Sequence, residues 1–286
     1  MNLNNIRRIL SNEILGGMLQ KLTQNAKEGS VLYRMAPMPE LYTSGNSIRE
    51  ITRGGIQYRL DLSDLMDWWF YWGFKDVSHN FLLSKVNKND LVVDVGANKC
   101  VLTTLLSIRV DSAGKVYSFE ANPENYEVCK ELIARNSPKL ENCELIGKGC
   151  GAETNVMRIA RTSSNNTGMD RLVSIDTDNN SGQDVEVVLL DDELKNLDRI
   201  DLIKIDTEGF EFEVLKGASA ILEKYKPKLF VELDASNLER YATNVEQILE
   251  YLKPFGYSFL NIQSDKYFKS ESELGSDFHF DCYCEV

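Results

Sequence analysis

Leu3, Ile6, Leu10, Ile14, Met18 and Leu22 recur at three- and four-residue steps, which predicts an amphipathic helix interrupted at Gly16-Gly17. Its polar face is poor in Lys and Arg, so the expected partner is the rest of the chain rather than a membrane surface. From Gly45 to Leu62 the pattern is that of short strands and turns, and Ser63 is placed to cap a helix containing Asp64, Asp67 and Trp68-Trp69-Phe70-Tyr71-Trp72. Six aromatic residues within positions 68–74 exceed what one helix face holds. They are expected to pack a cap, with closure over a ligand left open. Residues 1–85 are read as this N-terminal cap.

Beyond Asn89-Asp90 the texture changes. Leu91–Val95, Lys115–Glu120, Glu144–Ile146, Val185–Leu189, Leu202–Ile205 and Leu229–Leu233 are short apolar runs read as strands. Helical stretches fit between and after them at 101–110, 124–136, 210–225 and 244–252. This alternation predicts parallel βαβ units with a sheet covered on both faces, an α/β domain over 86–286. Two late runs, Tyr257–Ile262 and Phe278–Val286, predict a closing antiparallel pair.

At 286 residues the chain is long enough to bury a substantial core. Its net charge of −12 argues against a general nucleic-acid binder, because phosphate backbones are held by clustered Lys and Arg. The six cysteines form no CxxC pair, so they suggest neither a zinc site nor a disulfide framework but reduced thiols. No run approaches the roughly 20 apolar residues of a membrane span, and the first residues lack a signal-peptide apolar region. A cytoplasmic location is the resulting expectation.

The candidate chemistry begins at Leu91-Val-Val-Asp94-Val-Gly96-Ala-Asn98, where an acid ends the first predicted strand and a glycine follows at the turn into a helix. In open α/β sheets ligands bind beyond the carboxyl ends of the strands, so this loop is the expected cofactor site. Asp94 is suited to orient the loop or to pair with a cationic amino-acid group. The next strand ends in Glu120, whose carboxylate can accept both hydroxyls of a ribose. A nicotinamide dinucleotide competes for such a site, but its fingerprint requires glycine at positions 96, 98 and 101, and the chain has Gly96, Asn98 and Val101. A third strand delivers Asp206 and Glu208 to the same sheet edge, where either is suited to act as a general base or to position a hydroxyl. Glu211 is read as a helix N-terminal acid. No metal set is assigned, although Asp206, Glu232 and Asp234 form an oxygen-ligand alternative. The two histidines, His79 and His279, are read as structural, and the polar stretch Thr162 to Asn166, continuing to Gly168, as a substrate loop or a solvated turn.

VVDVGAN (92–98), VYSFEANPEN (116–125), LLDDEL (189–194), DLIKIDTEGFEFEVLKGA (201–218) and KPKLFVEL (226–233) together resemble the FkbM family of methyltransferases, over about residues 90–265. The resemblance implies a Rossmann-like class I fold with a mostly parallel seven-stranded sheet and helices on both faces. It also implies S-adenosylmethionine as methyl donor, and O-methylation of a hydroxyl on a sugar, glycan or small natural product. It places cofactor positions at Asp94, Gly96, Asn98 and Glu120, with Ala97, Cys100, Ala121 and Asp206 in the same segments. Asp206 and Glu208 fall on the family's acidic motif at the active-site edge. The chain departs from the family's pattern at Cys100, where glycine is usual, and at Ala121, where proline is common. Cys100 keeps a non-catalytic binding protein on this fold as the alternative reading.

Overall fold

The computed structural model describes residues 2–42, 45–160, 171–175 and 182–286, so the polar stretch 162–168 lies outside the described residues. The chain divides into two compact units, one ending at Val77 and one beginning at Ser78.

In the first unit the expected N-terminal helix is two, α1 (Leu3–Leu10) and α2 (Glu13–Thr23). The break falls at Ser11-Asn12 rather than at the glycines, because the Asn12 side chain accepts from the Ile14 backbone N–H and starts a new helix. A short α3 (Val31–Met35) precedes the hairpin β1 (Ile48–Arg53) and β2 (Ile56–Asp61), followed by α4 (Leu65–Trp72). Asp64, not Ser63, caps α4, accepting from the backbone of Met66 and Asp67. The aromatic run packs within this unit. Trp68 and Trp72 are fully buried, the Trp68 indole N–H donates to the Pro37 carbonyl at 2.6 Å, and Tyr33 meets Trp68, Trp69 and Phe74 ring to ring.

The second unit begins within α5 (Val77–Lys85) and is built on β3 (Leu91–Val95), β4 (Lys115–Phe119), β5 (Cys143–Ile146), β6 (Gly149–Cys150), β7 (Asn155–Ala160), β8 (Arg171–Val173), β9 (Gln183–Val188), β10 (Leu202–Ile205), β11 (Lys228–Asp234), β12 (Ser258–Asn261), β13 (Lys266–Phe268) and β14 (His279–Glu285). Between them run α6 (Val101–Val110), α7 (Pro123–Arg135), α8 (Leu190–Glu193), α9 (Glu211–Lys216), α10 (Ser219–Tyr225), α11 (Ala235–Arg240) and α12 (Val245–Leu252).

The main sheet has eight strands in the order β13-β12-β14-β11-β10-β3-β4-β5. Its five strands from β11 to β5 are parallel, and β14, β12 and β13 extend it antiparallel. The strand beyond the seven expected is β13, which completes a hairpin with β12. The late antiparallel pair is present as β12 and β14.

One predicted strand belongs elsewhere: β9 joins a separate four-stranded sheet, β6-β9-β7-β8. Its sequence shows why, since Asp184 and Glu186 are exposed while Val185 and Val187 are buried, the alternation of a sheet with one solvated face. By contrast β10 is buried at every position. The single helix expected over 210–225 is also divided, into α9 and α10. A Cβ at Gly217 would lie 1.9 Å from the Gly151 carbonyl, and the chain turns at this close approach.

Each face of the main sheet carries its own core. Val92, Val116, Leu202 and Phe230 pack with Leu82 of α5 and Leu102 and Leu106 of α6. Val93, Val95, Ile203, Ile205 and Val231 pack on the other face with α9, α10 and α12 through Val214, Leu222 and Leu249. The helices fix the strand ends, and the polar groups collect beyond them.

Candidate active site

The turn out of β3 is set by three left-handed residues, Gly96, Asn98 and Cys100, with φ of 79°, 51° and 59°. For Gly96 the reason is a neighbouring strand. A Cβ there would stand 1.8 Å from the Asp206 carbonyl oxygen, so glycine lets the loop after β3 and the end of β10 touch. Cys100 caps α6 without using its side chain. Its thiol is fully buried, with Sγ 4.0 Å from the Ser118 hydroxyl. The left-handed backbone accounts for the usual glycine at this position. The thiol packs inward against β4.

Asp94, at the end of β3, is fully buried. Its Oδ2 accepts from the Thr103 hydroxyl at 2.6 Å, and Thr103 in turn lies 3.0 Å from the Ser118 hydroxyl. Its Oδ1 lies 3.4 Å from the ammonium of Lys204. Lys204 faces Asp94 in the strand register and is 4% exposed, and it donates to the Gly96 carbonyl at 2.7 Å. It also stands 3.4 Å from Asp206 Oδ2. Burial opposes the ammonium, but Asp206 and Asp94 outweigh it and raise the Lys204 pKa. One buried cation thus ties the loop after β3 to the acidic end of β10. Sequence alone assigns Lys204 no role within its motif. A single charge inside an otherwise apolar strand, Leu202-Ile-Lys-Ile205, was the available signal.

Glu120 follows β4 and is 6% exposed. Its two oxygens accept the backbone N–H groups of Asn98 at 2.6 Å and Asn122 at 2.8 Å. Burial, only partly offset by these bonds, raises its pKa to about 7. Cys129 donates from below to the Asn98 carbonyl at 2.9 Å, so residue 98 is held through both backbone groups. The Asn98 side-chain oxygen is buried without a hydrogen-bond partner among the described residues. Ala97 is buried and Ala121 half-buried beside these groups.

Beyond β10 the chain turns through Thr207-Glu208-Gly209. Glu211 organises this turn, its Oε1 accepting from the N–H groups of Thr207 at 2.9 Å and Gly209 at 3.0 Å, which suits its expected structural part. Glu208 is held at φ 56°, a costly conformation for a residue with a side chain. Its Oε2 accepts from the Asn237 amide at 2.9 Å. Burial and then the Asp206 charge raise its pKa to about 7.

Asp206, Glu208 and Glu232 each bring a carboxylate oxygen within 4.8 Å of the others. Glu232 comes from β11, and burial, then Asp206 and Glu208, raise its pKa well above the usual carboxylate range. This trio differs from the Asp206, Glu232 and Asp234 set considered from sequence. Asp234 turns instead to the Asn237 N–H, the Ser236 hydroxyl and His279, with oxygen distances of 2.8, 2.7 and 2.9 Å. Burial opposes its ionisation, but these partners prevail and lower its pKa. Three neighbouring carboxylates do not by themselves specify a metal, and none is assigned. Sequence reasoning missed the place of His279, which stands opposite Asp234 in the β11–β14 register.

Residues 94–259 match the family model described as the methyltransferase FkbM domain, more than half of the chain. No curated protein matches the chain. Among solved structures, the methyltransferase FkbM from Methylobacillus flagellatus KT is similar at 18% identity and a TM-score of 0.45, over 97% of this chain and 62% of that one. The chain therefore spans less than two thirds of that protein. TYW2 from P. horikoshii, solved in complex with MeSAdo, is similar at 17% identity and a TM-score of 0.46, over 86% of this chain and 73% of that one. A SAM-dependent methyltransferase from Aquifex aeolicus is similar at 14% identity and a TM-score of 0.41, over 73% of this chain and 89% of that one.

Proposed function

We propose that this chain, which belongs to the FkbM methyltransferase family, transfers a methyl group from S-adenosylmethionine to a hydroxyl of a sugar, a glycan or a small natural product. The observation that carries the reading is the junction at Lys204, which joins a rigid loop of donor type to an edge of carboxylates suited to hydroxyls.

Several features of the loop fit the donor. Glu120 is fixed by two backbone N–H groups, and each oxygen keeps a lone pair for a ribose hydroxyl. The unpartnered Asn98 oxygen calls for an N–H or O–H donor from a ligand. Asp94 is fully buried, with Oδ2 accepting from Thr103 and Oδ1 at ion-pair distance from Lys204 but without a hydrogen bond among the described residues, so its part is to hold the loop through these two residues. Bound there, S-adenosylmethionine supplies a methyl carbon already activated by its sulfonium. The protein's task is to align an oxygen with that carbon and exclude water. Asp206, paired with Lys204, and Glu208, held by Asn237, are suited to hold and orient the acceptor hydroxyl.

The net charge of −12 favours a small or glycan acceptor over a nucleic acid. No helix among the described residues is long and apolar enough to cross a membrane, and the six cysteines are free thiols, which suits a reducing cytoplasm. The test is calorimetric titration with S-adenosylhomocysteine, followed by transfer from methyl-labelled S-adenosylmethionine to a panel of sugars, oligosaccharides, polyols and RNA. Expected are binding by the wild type, weaker binding by Glu120→Ala, and label on a hydroxyl. A wild type that binds no S-adenosylhomocysteine removes the donor, and label found only in RNA removes the acceptor class.

A further inference from the structure

We propose that His279 is the proton acceptor of the methyl transfer, oriented by Asp234; the proposal rests on the reaction put forward above. His279 opens β14 and pairs in register with Asp234 at the end of β11, so its ring stands at the carboxyl edge of the parallel strands. Nδ1 lies 2.9 Å from Asp234 Oδ2. An ionised carboxylate only accepts, so the neutral ring carries its proton on Nδ1 and keeps a lone pair on Nε2. That nitrogen lies 3.9 Å from Glu232 Oε1, and Glu232 belongs to the trio with Asp206 and Glu208. The ring is 64% exposed on its side chain, open to an incoming molecule.

The carboxylates of the trio are less suited to the task. Asp206 is engaged by the buried Lys204, and Glu208 by the Asn237 amide. Among the described residues His279 is the group at this edge that combines a free lone pair with a carboxylate fixing its other nitrogen, the arrangement a general base requires. The acceptor oxygen forms its bond to the methyl carbon while the carbon–sulfur bond breaks and leaves its electron pair on sulfur. The hydroxyl proton passes to Nε2. The resulting imidazolium is stabilised by the Asp234 carboxylate at Nδ1, and from an exposed ring the proton returns to solvent.

The experiment uses full-length protein, the variants His279→Gln and Asp234→Asn, and imidazole 15N spectra. The chain has two histidines, so His79→Asn assigns both rings. Expected for neutral His279 is a proton on Nδ1 and a bare Nε2, moving toward Nε2–H in Asp234→Asn, a signature that a merely structural ring would not give. S-Adenosylhomocysteine affinity in His279→Gln stays within about twofold of wild type. Methyl transfer to the hydroxyl acceptor that takes up label in the panel above falls by about 10²–10⁴-fold in kcat. A wild-type ring protonated on Nε2 overturns the proposal, as does His279→Gln with undiminished kcat. Loss of S-adenosylhomocysteine binding by the wild type would instead count against the donor assignment.

Discussion

The ammonium of Lys204 donates to the carbonyl of Gly96 at 2.7 Å, from the middle of one strand to the turn that ends its neighbour. Through this contact, and through Asp94 and Asp206, the shape of the loop after β3, the proposed donor site, depends on a charge buried in β10.

Lys204→Met leaves the fully buried Asp94 carboxylate facing an apolar chain. Removing one member of a buried ion pair costs about 3–5 kcal/mol, so urea unfolding should show a loss of that size. The double variant Lys204→Met/Asp94→Asn should recover part of the stability. Its affinity for S-adenosylhomocysteine should stay reduced, because the Gly96 carbonyl has still lost its donor.

Two substitutions in the loop after β3 should differ sharply in effect. Gly96→Ala places a Cβ against the Asp206 carbonyl in a left-handed residue, where the backbone strain alone costs about 1–3 kcal/mol. It should lower thermal stability and abolish measurable S-adenosylhomocysteine binding. Cys100→Gly relieves a left-handed residue of about 1–2 kcal/mol while adding about 0.5–1 kcal/mol of backbone entropy and giving up a packed thiol. Stability should change little, and affinity should stay within about threefold, because the thiol packs toward Ser118. A large gain in affinity would show instead that the thiol obstructs the donor.

The acidic turn should make stability fall as pH rises. Glu208 has a folded pKa of about 7 against 4.5 for the free group, so the folded state holds this proton more tightly than the unfolded chain does. Raising the pH through 4.5 to 7 strips the unfolded chain first. The stability that the neutral carboxyl gives below pH 4.5 is lost by about pH 7. Chemical denaturation across this window should show a smaller decline in Glu208→Gln than in wild type. Equal slopes would mean that Glu208 titrates normally.

The parallel core and its loops were legible because each piece carries a local signal: an apolar run, an acid at its end, a glycine at the turn. Leu91–Val95 with Gly96, and Lys115–Phe119 with Glu120, fall where their pattern placed them. What escaped depends on partners distant in sequence. Glycine at 96 is demanded by the Asp206 carbonyl, over a hundred residues away, whereas the sequence alone shows only a glycine at a turn. His279 gained significance only when β14 was set against β11, since one histidine in an apolar run carries no sign of its neighbour. The α1–α2 break was misplaced because the capping asparagine at position 12 gives a clear stop where Gly16 is tolerated inside the helix. The β9 run was read for its apolar residues, whereas its alternation marks a second sheet.

The row formed by Ser118, Asp94 and Lys204 also bears on how the sheet selects its alignment during folding. These residues stand side by side on β4, β3 and β10. Sliding β10 by one residue would set Ile203 or Ile205 beside Asp94, turn Lys204 into the opposite apolar layer, and strand two charges without water. Hydrocarbon residues alone would tolerate several alignments of these strands. The buried pair penalises each mismatched one, so the charge that shapes the loop after β3 also acts as a key for assembling the sheet around it.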